Sequence, residues 1–232
     1  MPVFVFLVIV LFTYTFFIFN AERGKASFDV GEPYVGLVKI YEDAEGDLFY
    51  LETCVRYAEY RAVERFFSEG GVLSECDSEW KFGDDCEPDF ENDFIVYLKE
   101  ETGLCGVVED VRLNGDNVFV NLEKIEYKRQ AGKAEIDYAV EPFFEQDAGF
   151  SFTKLVVLKE KVKNCLRQSD FDGCVAGFDG LKNDGVADGI TYFSYDLLNE
   201  EIPIISGGVI EMKKPLFKFK INAAEQGREI VI

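Results

Sequence analysis

Six cysteines are the residues of this sequence whose type and spacing bear most directly on chemistry. No two of them form a Cys-x-x-Cys pair, so the spacing supports neither a thioredoxin-type redox motif nor a zinc knuckle. Because their number is even, we predict three disulfides, with two short bridges that leave the remaining two cysteines to pair. The predicted pairs are Cys165–Cys174, Cys76–Cys86 and Cys54–Cys105. The alternative is six reduced, partly buried thiols in a cytoplasmic protein.

Acidic and amide side chains in the last third of the chain are candidates for calcium ligands, because calcium prefers carboxylate and carbonyl oxygens. The candidates are Asp170, Asp172, Asp179, Asn183, Asp184 and Asp188. The match to an EF-hand loop is poor, since a loop starting at Asp179 has Leu181 at the second ligand position and Ile190 at the twelfth. A cluster of Gly, Asp and Asn turns that binds no metal explains the same residues.

Ser151 and Lys154 match the Ser-x-x-Lys motif of penicillin-binding proteins at a predicted helix start. The accompanying Ser-Asp-Asn and Lys-Thr-Gly elements are missing, so a helix cap followed by a surface lysine is the alternative.

The sequence contains no histidine, which excludes Ser-His-Asp and Cys-His nucleophile systems and histidine metal sites. Paired carboxylates could serve glycoside hydrolysis, but none of the 44 acidic residues stands out as a pair. We therefore predict neither catalytic nor cofactor-binding residues, with Ca²⁺ as the one candidate cofactor.

The charge balance bears on the choice of partner. The chain has 24 basic and 44 acidic residues, a net charge of −20. Because binding a polyanion requires lysine and arginine to displace its counterions, we expect no nucleic-acid partner.

The first twenty residues predict a transmembrane anchor. Fourteen of the seventeen residues at positions 3–19 are Leu, Ile, Val or Phe, and none is charged. A cleaved signal peptide is the alternative, but the segment lacks a basic start and a small-x-small cleavage site. Arg23 and Lys25 favour a cytoplasmic C-terminal part by the positive-inside rule, whereas the six cysteines and the acidic body favour the outside. We expect a single-pass protein with its C-terminal domain extracytoplasmic.

A long amphipathic helix is predicted for residues 34–69, after a juxtamembrane segment at 21–33. Pro33 suits its first turn and Gly70-Gly71 its end. Its apolar seam alternates spacings of three and four residues: Tyr34, Leu37, Tyr41, Ala44, Leu48, Leu51, Val55, Ala58 and Ala62. Because the seam residues are mixed in size, we expect the chain's own sheet to cover them; the alternative is a partner protein or a second copy pairing through residues 34–62.

The rest of the chain, residues 70–232, predicts one acidic domain packed on that helix. Period-two patterns at 107–113, 118–127 and 134–140 indicate an antiparallel meander, and further strands are predicted at 190–197 and around Phe217–Ile221. A helix is predicted at 152–166 with Ser151 as its cap. The fold class is therefore α+β, with a mainly antiparallel sheet and one or two short helices beside the long one.

Five short stretches carry a resemblance to a family. Leu48-Phe49-Tyr50, Arg56-Tyr57-Ala58 and Gly70-Gly71 resemble a helix, and the Gly-Gly that follows it, in uncharacterised membrane-anchored proteins from small-genome, DPANN-type archaea. Residues 139–144 and Asn164-Cys165 resemble later parts of the same pattern. The resemblance covers about half of the chain. It implies anchoring and exposure at the cell surface, and no known activity.

The order of elements is also similar to that of type IV pilins, in which a hydrophobic N-terminal helix leads to a disulfide-containing sheet domain. The sequence departs from pilins because it lacks a prepilin cleavage site and an early Glu, and because Pro33 would interrupt a continuous helix. Together these features predict a membrane-anchored binding or assembly protein. A pilin-like filament subunit and a surface hydrolase using carboxylates or Ser-Lys are the alternatives.

Overall fold

A computed structural model describes residues 2–168, 170–187, 189–198, 201–206 and 209–222; side chains are described at 13–18 and, from residue 31 onward, at these positions except 205, 206 and 209. The helices are α1 (Pro2–Ser68), α2 (Phe90–Thr102), α3 (Phe152–Cys165) and α4 (Phe171–Ala176), with a 3₁₀ turn at Ser74–Cys76. The strands are β1 (Val108–Asn114), β2 (Asn117–Leu122), β3 (Ile125–Ala131), β4 (Ala134–Val140), β5 (Phe143–Asp147), β6 (Leu181–Ala187), β7 (Ile190–Tyr195), β8 (Ile202–Ser206), β9 (Val209–Lys213) and β10 (Phe217–Ile221). The α+β class is confirmed.

Among the described residues the strands form four small sheets, in which every strand pair is antiparallel. Their orders are β1-β2-β5, β10-β7-β6, β3-β4 and β8-β9. The strand expected at 118–127 is two strands, and β4 pairs with β3 alone instead of continuing a meander. The Leu122 and Glu123 amides donate to the carbonyls of Pro142 and Val107, one residue beyond the paired strands, and β3 begins at Ile125 in a separate sheet.

Helix α1 is longer than the sequence predicts, because it begins at Pro2 and passes through Pro33. Proline inside a helix costs about 3 kcal/mol, since it removes one backbone hydrogen bond and crowds the preceding turn. That cost is local, and the turns on both sides of Pro33 are helical. Within the described part of the chain, no helix is both long and apolar enough to cross a membrane. Apart from 13–18, the predicted anchor at 3–19 falls on residues whose side chains lie outside the described set.

The chain divides into two compact units, a split that the sequence did not indicate for residues 34–232. The first, here called the hairpin unit, comprises Met1–Phe49 and Lys124–Glu141. Its β3–β4 hairpin packs on α1 where the helix carries Gly36, since a side chain there would place its Cβ 2.6 Å from that of Ala131. Ile40 and Ala44 are buried at this contact, while Tyr34, Leu37 and Tyr41 of the predicted seam are exposed.

The second, here called the disulfide unit, comprises Tyr50–Glu123 and Pro142–Ile232. Its core is rich in aromatic residues, with Phe66 of α1 fully buried among rings from α2, α3 and β10. The seam residues of this stretch of α1 are also buried: Leu51, Val55, Ala58 and Ala62. The predicted stop at Gly70-Gly71 is confirmed, because α1 ends at Ser68 and both glycines have positive φ. A side chain at Gly70 would also meet the Lys218 carbonyl at 2.6 Å.

Candidate functional site

All six cysteines lie in the disulfide unit and form three bonds, so the presence of disulfides is confirmed. The bonds join Cys54 to Cys105, Cys76 to Cys86 and Cys165 to Cys174, which are the pairs that the sequence predicts. The first ties α1 to the segment after α2, and the third ties α3 to α4. The second closes the loop at residues 77–85, here called the acidic loop because four of its nine residues are Asp or Glu. Of the three, the Cys76–Cys86 bond is next in sequence to residues of the site described next, Asp77 and Ser78.

A groove of about 430 Å³ lies beside strands β7 and β10 of the disulfide unit, and it is here called the β7–β10 groove. Its lining combines lysines, carboxylates, hydroxyls and aromatic rings: Ser68, Asp77, Ser78, Asp184, Tyr192, Phe193, Lys218, Phe219 and Lys220. The register pairs Lys218 with Ser194 and Lys220 with Tyr192, so these four side chains share one face of the sheet. The volume of about 430 Å³ lies within the range of small-molecule sites.

One wall of the groove is a strained turn. Asp77 and Ser78 have φ of 49° and 59°, a left-handed conformation that non-glycine residues rarely adopt twice in succession. The turn is held by the neighbouring Cys76–Cys86 bond, by the Ser78 hydroxyl, which donates to the Ser68 carbonyl at 3.1 Å, and by the Lys220 amide, which donates to the Ser78 carbonyl at 2.9 Å. Such strain persists where the surroundings over-determine it, and it is frequent at binding sites.

The floor beneath the groove is a stack of aromatic rings. Trp80 lies parallel to Phe219 with ring centroids 4.0 Å apart, and Phe193 stacks against Phe219 at 5.2 Å. The Trp80 indole nitrogen donates to the Gly70 carbonyl at 2.7 Å, which fixes the ring in its plane. The groove therefore rests on a rigid base whose side chains are largely buried.

The charges in the groove are unequally paired. Lys220 Nζ lies 2.5 Å from Asp77 Oδ2; the lysine side chain is 14% exposed and the aspartate 90% exposed. The hydrogen bond and charge of Lys220 lower the pKa of Asp77, so this carboxyl is ionised. Asp184 Oδ1 accepts a hydrogen bond from the Ser194 hydroxyl at 3.2 Å. Lys218 forms no ion pair with any residue that the structure describes.

The structure uses the predicted calcium ligands mainly in caps and turns. Asp170 caps α4 by accepting from the Gly173 amide at 2.9 Å, Asp172 lies in the first turn of that helix, and Asn183 accepts from the Gly185 amide. Asp179 precedes β6 and Asp184 lines the β7–β10 groove, whereas Asp188 lies outside the described residues. Across the described part of the chain, no three Asp, Glu or Cys side chains are grouped to hold a metal ion. The calcium site stays a prediction.

The Ser-x-x-Lys match lies at the start of α3, as predicted. Ser151 occupies the N-cap position, but the expected capping by its hydroxyl is wrong, because its side chain makes no capping hydrogen bond. Instead the Phe152 amide donates to Asp116 Oδ1 at 3.0 Å, so the turn between β1 and β2 supplies the cap. Lys154 is exposed, and neither residue lines the β7–β10 groove.

Glu59 on α1 is a buried acid that the sequence does not reveal. The residue is 3% exposed, and its Oε1 atom has no hydrogen-bond partner among the residues that the structure describes. Burial, with a smaller contribution from the charge of Asp147, raises the pKa of Glu59 to about 8, against an opposing effect of Arg56. The carboxyl therefore stays largely protonated at neutral pH. Glu59 lies on the buried face of α1. Because the sequence contains 44 acidic residues, its position in the sequence does not distinguish it from the others.

Comparison with models of protein families, with curated proteins and with solved structures found no match. The resemblances to archaeal anchored proteins and to pilins therefore stay predictions.

Proposed function

We propose that this chain is a membrane-anchored binding protein whose disulfide unit faces outward and takes up ligand in the β7–β10 groove. The observation that carries the proposal is the closure of all six cysteines into three disulfides, since such bonds persist in oxidising compartments and are rare in reducing ones. The charge-free segment at 3–19 supplies the anchor, and it belongs to the same helix α1 that enters the disulfide unit.

Thiol alkylation of protein in its native membranes tests the compartment. We expect no labelling without reductant and six labelled cysteines after reduction and denaturation. Six labelled cysteines in the unreduced, denatured sample would overturn the outward-facing assignment, because the three bonds would then be absent in the cell.

Fractionation tests the anchor. Replacing Val8 and Leu11 together by lysine places two charges in the span, at a cost of about 2.5–3.5 kcal/mol each, and should release the protein from carbonate-washed membranes. The control is a double replacement of Ala26 and Ser27 by lysine, which adds the same charge outside the span. If both variants stay in the membrane fraction equally, residues 3–19 are not the anchor.

A pilin-like subunit is the second candidate, favoured by an apolar face on α1 of the hairpin unit. Tyr34, Leu37 and Tyr41 are 68%, 49% and 53% exposed, and they follow one another along one side of the helix. Replacing Leu37 by Glu should abolish filaments seen by electron microscopy in detergent-free preparations. The absence of filaments from the unaltered protein would contradict this candidate and leave the binding role as it stands.

A further inference from the structure

We infer that the ligand of the β7–β10 groove is a small monocarboxylate on a sugar-like ring, of the hexuronate class. The inference rests on the proposed binding role of the groove and names the chemistry of what binds there. Three features of the lining carry it: a lysine without a counterion, a pair of carboxylates at the same groove, and an exposed aromatic ring beside hydroxyls.

Lys218 is the group that selects an anion. It lies on the exposed face of β10 and has no ion pair among the described residues, whereas the neighbouring Lys220 is held by Asp77 at 2.5 Å. Of the two lysines that line the groove, Lys218 is therefore the one whose ammonium can pair with an anionic ligand. A hydrogen bond between an ammonium and a carboxylate is about twice as strong as a neutral one.

The carboxylates limit the charge that the ligand can bring. Asp77 and Asp184 line the groove together with Lys218 and Lys220, so the four charged side chains cancel. A monoanion adds one negative charge and finds one unpaired ammonium. A dianion such as phosphate near neutral pH would meet the same single free cation and two carboxylates, in the field of an acidic protein. The charge of the lining therefore favours one carboxylate.

Tyr192 and the hydroxyls give the ligand its second part. The Tyr192 side chain is 40% exposed beside the lysines, and it offers a flat apolar surface with a polar edge. Ser78 flanks β10 on the side away from Tyr192, since its carbonyl accepts from the Lys220 amide. Its hydroxyl donates to the Ser68 carbonyl, so its oxygen remains able to accept from a ligand hydroxyl. A pyranose ring has apolar C–H faces and a rim of hydroxyls, and the volume of about 430 Å³ is within the range of small-ligand pockets.

Calorimetric titration of the full chain in a non-ionic detergent tests the inference, with glucuronate, glucose and inorganic phosphate as the probes. We expect glucuronate to bind, and to bind more weakly as salt is raised, because the contact is between charges. Glucose lacks the carboxylate and phosphate lacks the ring, so both should bind at least about tenfold more weakly. Glucose or phosphate binding as tightly as glucuronate would overturn the assignment of the ligand.

Two substitutions in the groove should act in opposite directions. Lys218→Gln should weaken glucuronate binding about tenfold, and Lys218→Arg should retain it within about threefold. Asp77→Asn removes a carboxylate and releases Lys220, so it should tighten binding about two- to fivefold. Lys154→Gln is the matched control, because it removes one positive charge from an exposed site of the same unit, and it should leave affinity unchanged. If Lys154→Gln and Lys218→Gln lose glucuronate affinity equally, the loss comes from the change in net charge, and the groove is not the binding site.

The titration tests the ligand and the alkylation experiment tests the compartment, so a negative result in one leaves the other proposal standing. If glucuronate does not bind while the cysteines are oxidised and the protein stays in the membrane, the ligand class is wrong and the anchored, outward-facing protein stands. If the cysteines are free but glucuronate affinity still depends on Lys218, the compartment is wrong and the groove stands.

Discussion

The disulfide unit and the hairpin unit are built on the same helix but are held by different forces. In the disulfide unit, α1 buries Phe66 and Phe67 completely, and all three disulfides lie within it. In the hairpin unit, α1 meets a single two-stranded sheet, and the close approach at Gly36 is flanked by polar contacts. Arg129 bonds to Asp43 at 3.3 Å and Tyr127 to Asp47 at 2.8 Å, with both aspartates exposed.

This difference separates what each unit can do. A binding groove needs side chains that are held by rigid neighbours. In the disulfide unit, the Cys76–Cys86 bond and the stacked rings of Trp80 and Phe219 stabilise the strained Asp77-Ser78 turn. The described part of the hairpin unit has neither a disulfide nor a ring stack of this kind, and a hairpin on one helix buries little apolar surface. Its helix instead leaves an apolar side exposed, which suits association with another molecule and not the positioning of a ligand.

Removing one ring from the aromatic core of the disulfide unit is the strongest test of the difference in packing between the two units. The Phe66 ring centroid lies within 6.4 Å of those of seven others: Phe67, Phe90, Phe94, Tyr97, Phe150, Phe152 and Phe217. Phe66→Ala should lower the free energy of unfolding by about 5 kcal/mol, because the surrounding rings cannot collapse into the space. Denaturant unfolding followed by the fluorescence of Trp80, the single tryptophan, measures it.

Tyr138→Ala is the control for that experiment, because Tyr138 is a half-buried ring of β4 that meets Tyr41 at 6.3 Å in the hairpin unit. We expect it to change the Trp80 transition by less than about 1 kcal/mol. A loss comparable to that of Phe66→Ala would show that the two units unfold as one, and the contrast would be lost.

Removing disulfides one at a time should rank them by loop length. The Cys54–Cys105 bond closes a separation of 51 residues and the Cys165–Cys174 bond one of 9. In the chain-entropy model these loops correspond to about 4 and about 2.5 kcal/mol of stabilisation, so the double Cys→Ala variant of the first pair should lose more. Equal losses in the same unfolding assay would mean that native-state contacts, and not loop closure, decide the effect.

The elements of this fold that depend on local pattern are those that the sequence predicts well. The helix at 152–166 is α3 (Phe152–Cys165), and the period-two pattern at 107–113 is β1 (Val108–Asn114). Elements that depend on distant partners were less predictable. The break after Leu122 separates β2, which pairs with β1 and β5, from β3, which pairs with β4, and no local pattern encodes these partners. The passage of α1 through Pro33 likewise contradicts a local rule about proline.

The candidate site was beyond local prediction for the same reason. Its lining comes from the end of α1, the acidic loop, β6, β7 and β10, and only the strand register brings these together. The strand predicted around Phe217–Ile221 is β10, and the structure buries its alternate residues Phe217, Phe219 and Ile221. The positive φ angles at Asp77 and Ser78 leave no mark in the sequence, because they are imposed by surrounding contacts.

Glu59 gives a pH-dependent test of how firmly the disulfide unit is packed. Its pKa is raised from 4.5 to about 8, so the folded state keeps a proton that the unfolded chain releases above pH 4.5. Stability from this group is therefore complete below that pH and falls by about 1.4 kcal/mol per pH unit as pH rises toward 8. Glu59→Gln should remove this slope when unfolding is measured from pH 5 to 8.

The matched control for Glu59 is Glu52→Gln, since Glu52 also lies near Arg56 but is half exposed. It should keep the slope of the unaltered protein. A slope that survives in Glu59→Gln would mean that water reaches the carboxyl and that the packing around α1 is looser than its 3% exposure indicates.

The smallest expected effect is in the hairpin unit. The Tyr127 hydroxyl donates to Asp47 Oδ2 at 2.8 Å, and burial together with this hydrogen bond raises the pKa of Tyr127 to about 12. Tyr127→Phe removes the donor but strands no buried acceptor, because Asp47 is exposed, so the loss should be about 0.5–1 kcal/mol. Hydrogen exchange of the β3 and β4 amides should therefore quicken by about two- to fivefold, with Tyr50→Phe, an exposed tyrosine of α1, as the control. If exchange stays unchanged in Tyr127→Phe, the hairpin is held by the Gly36 contact and not by its polar pairs, and the hairpin unit resembles the disulfide unit more closely than its surface contacts suggest.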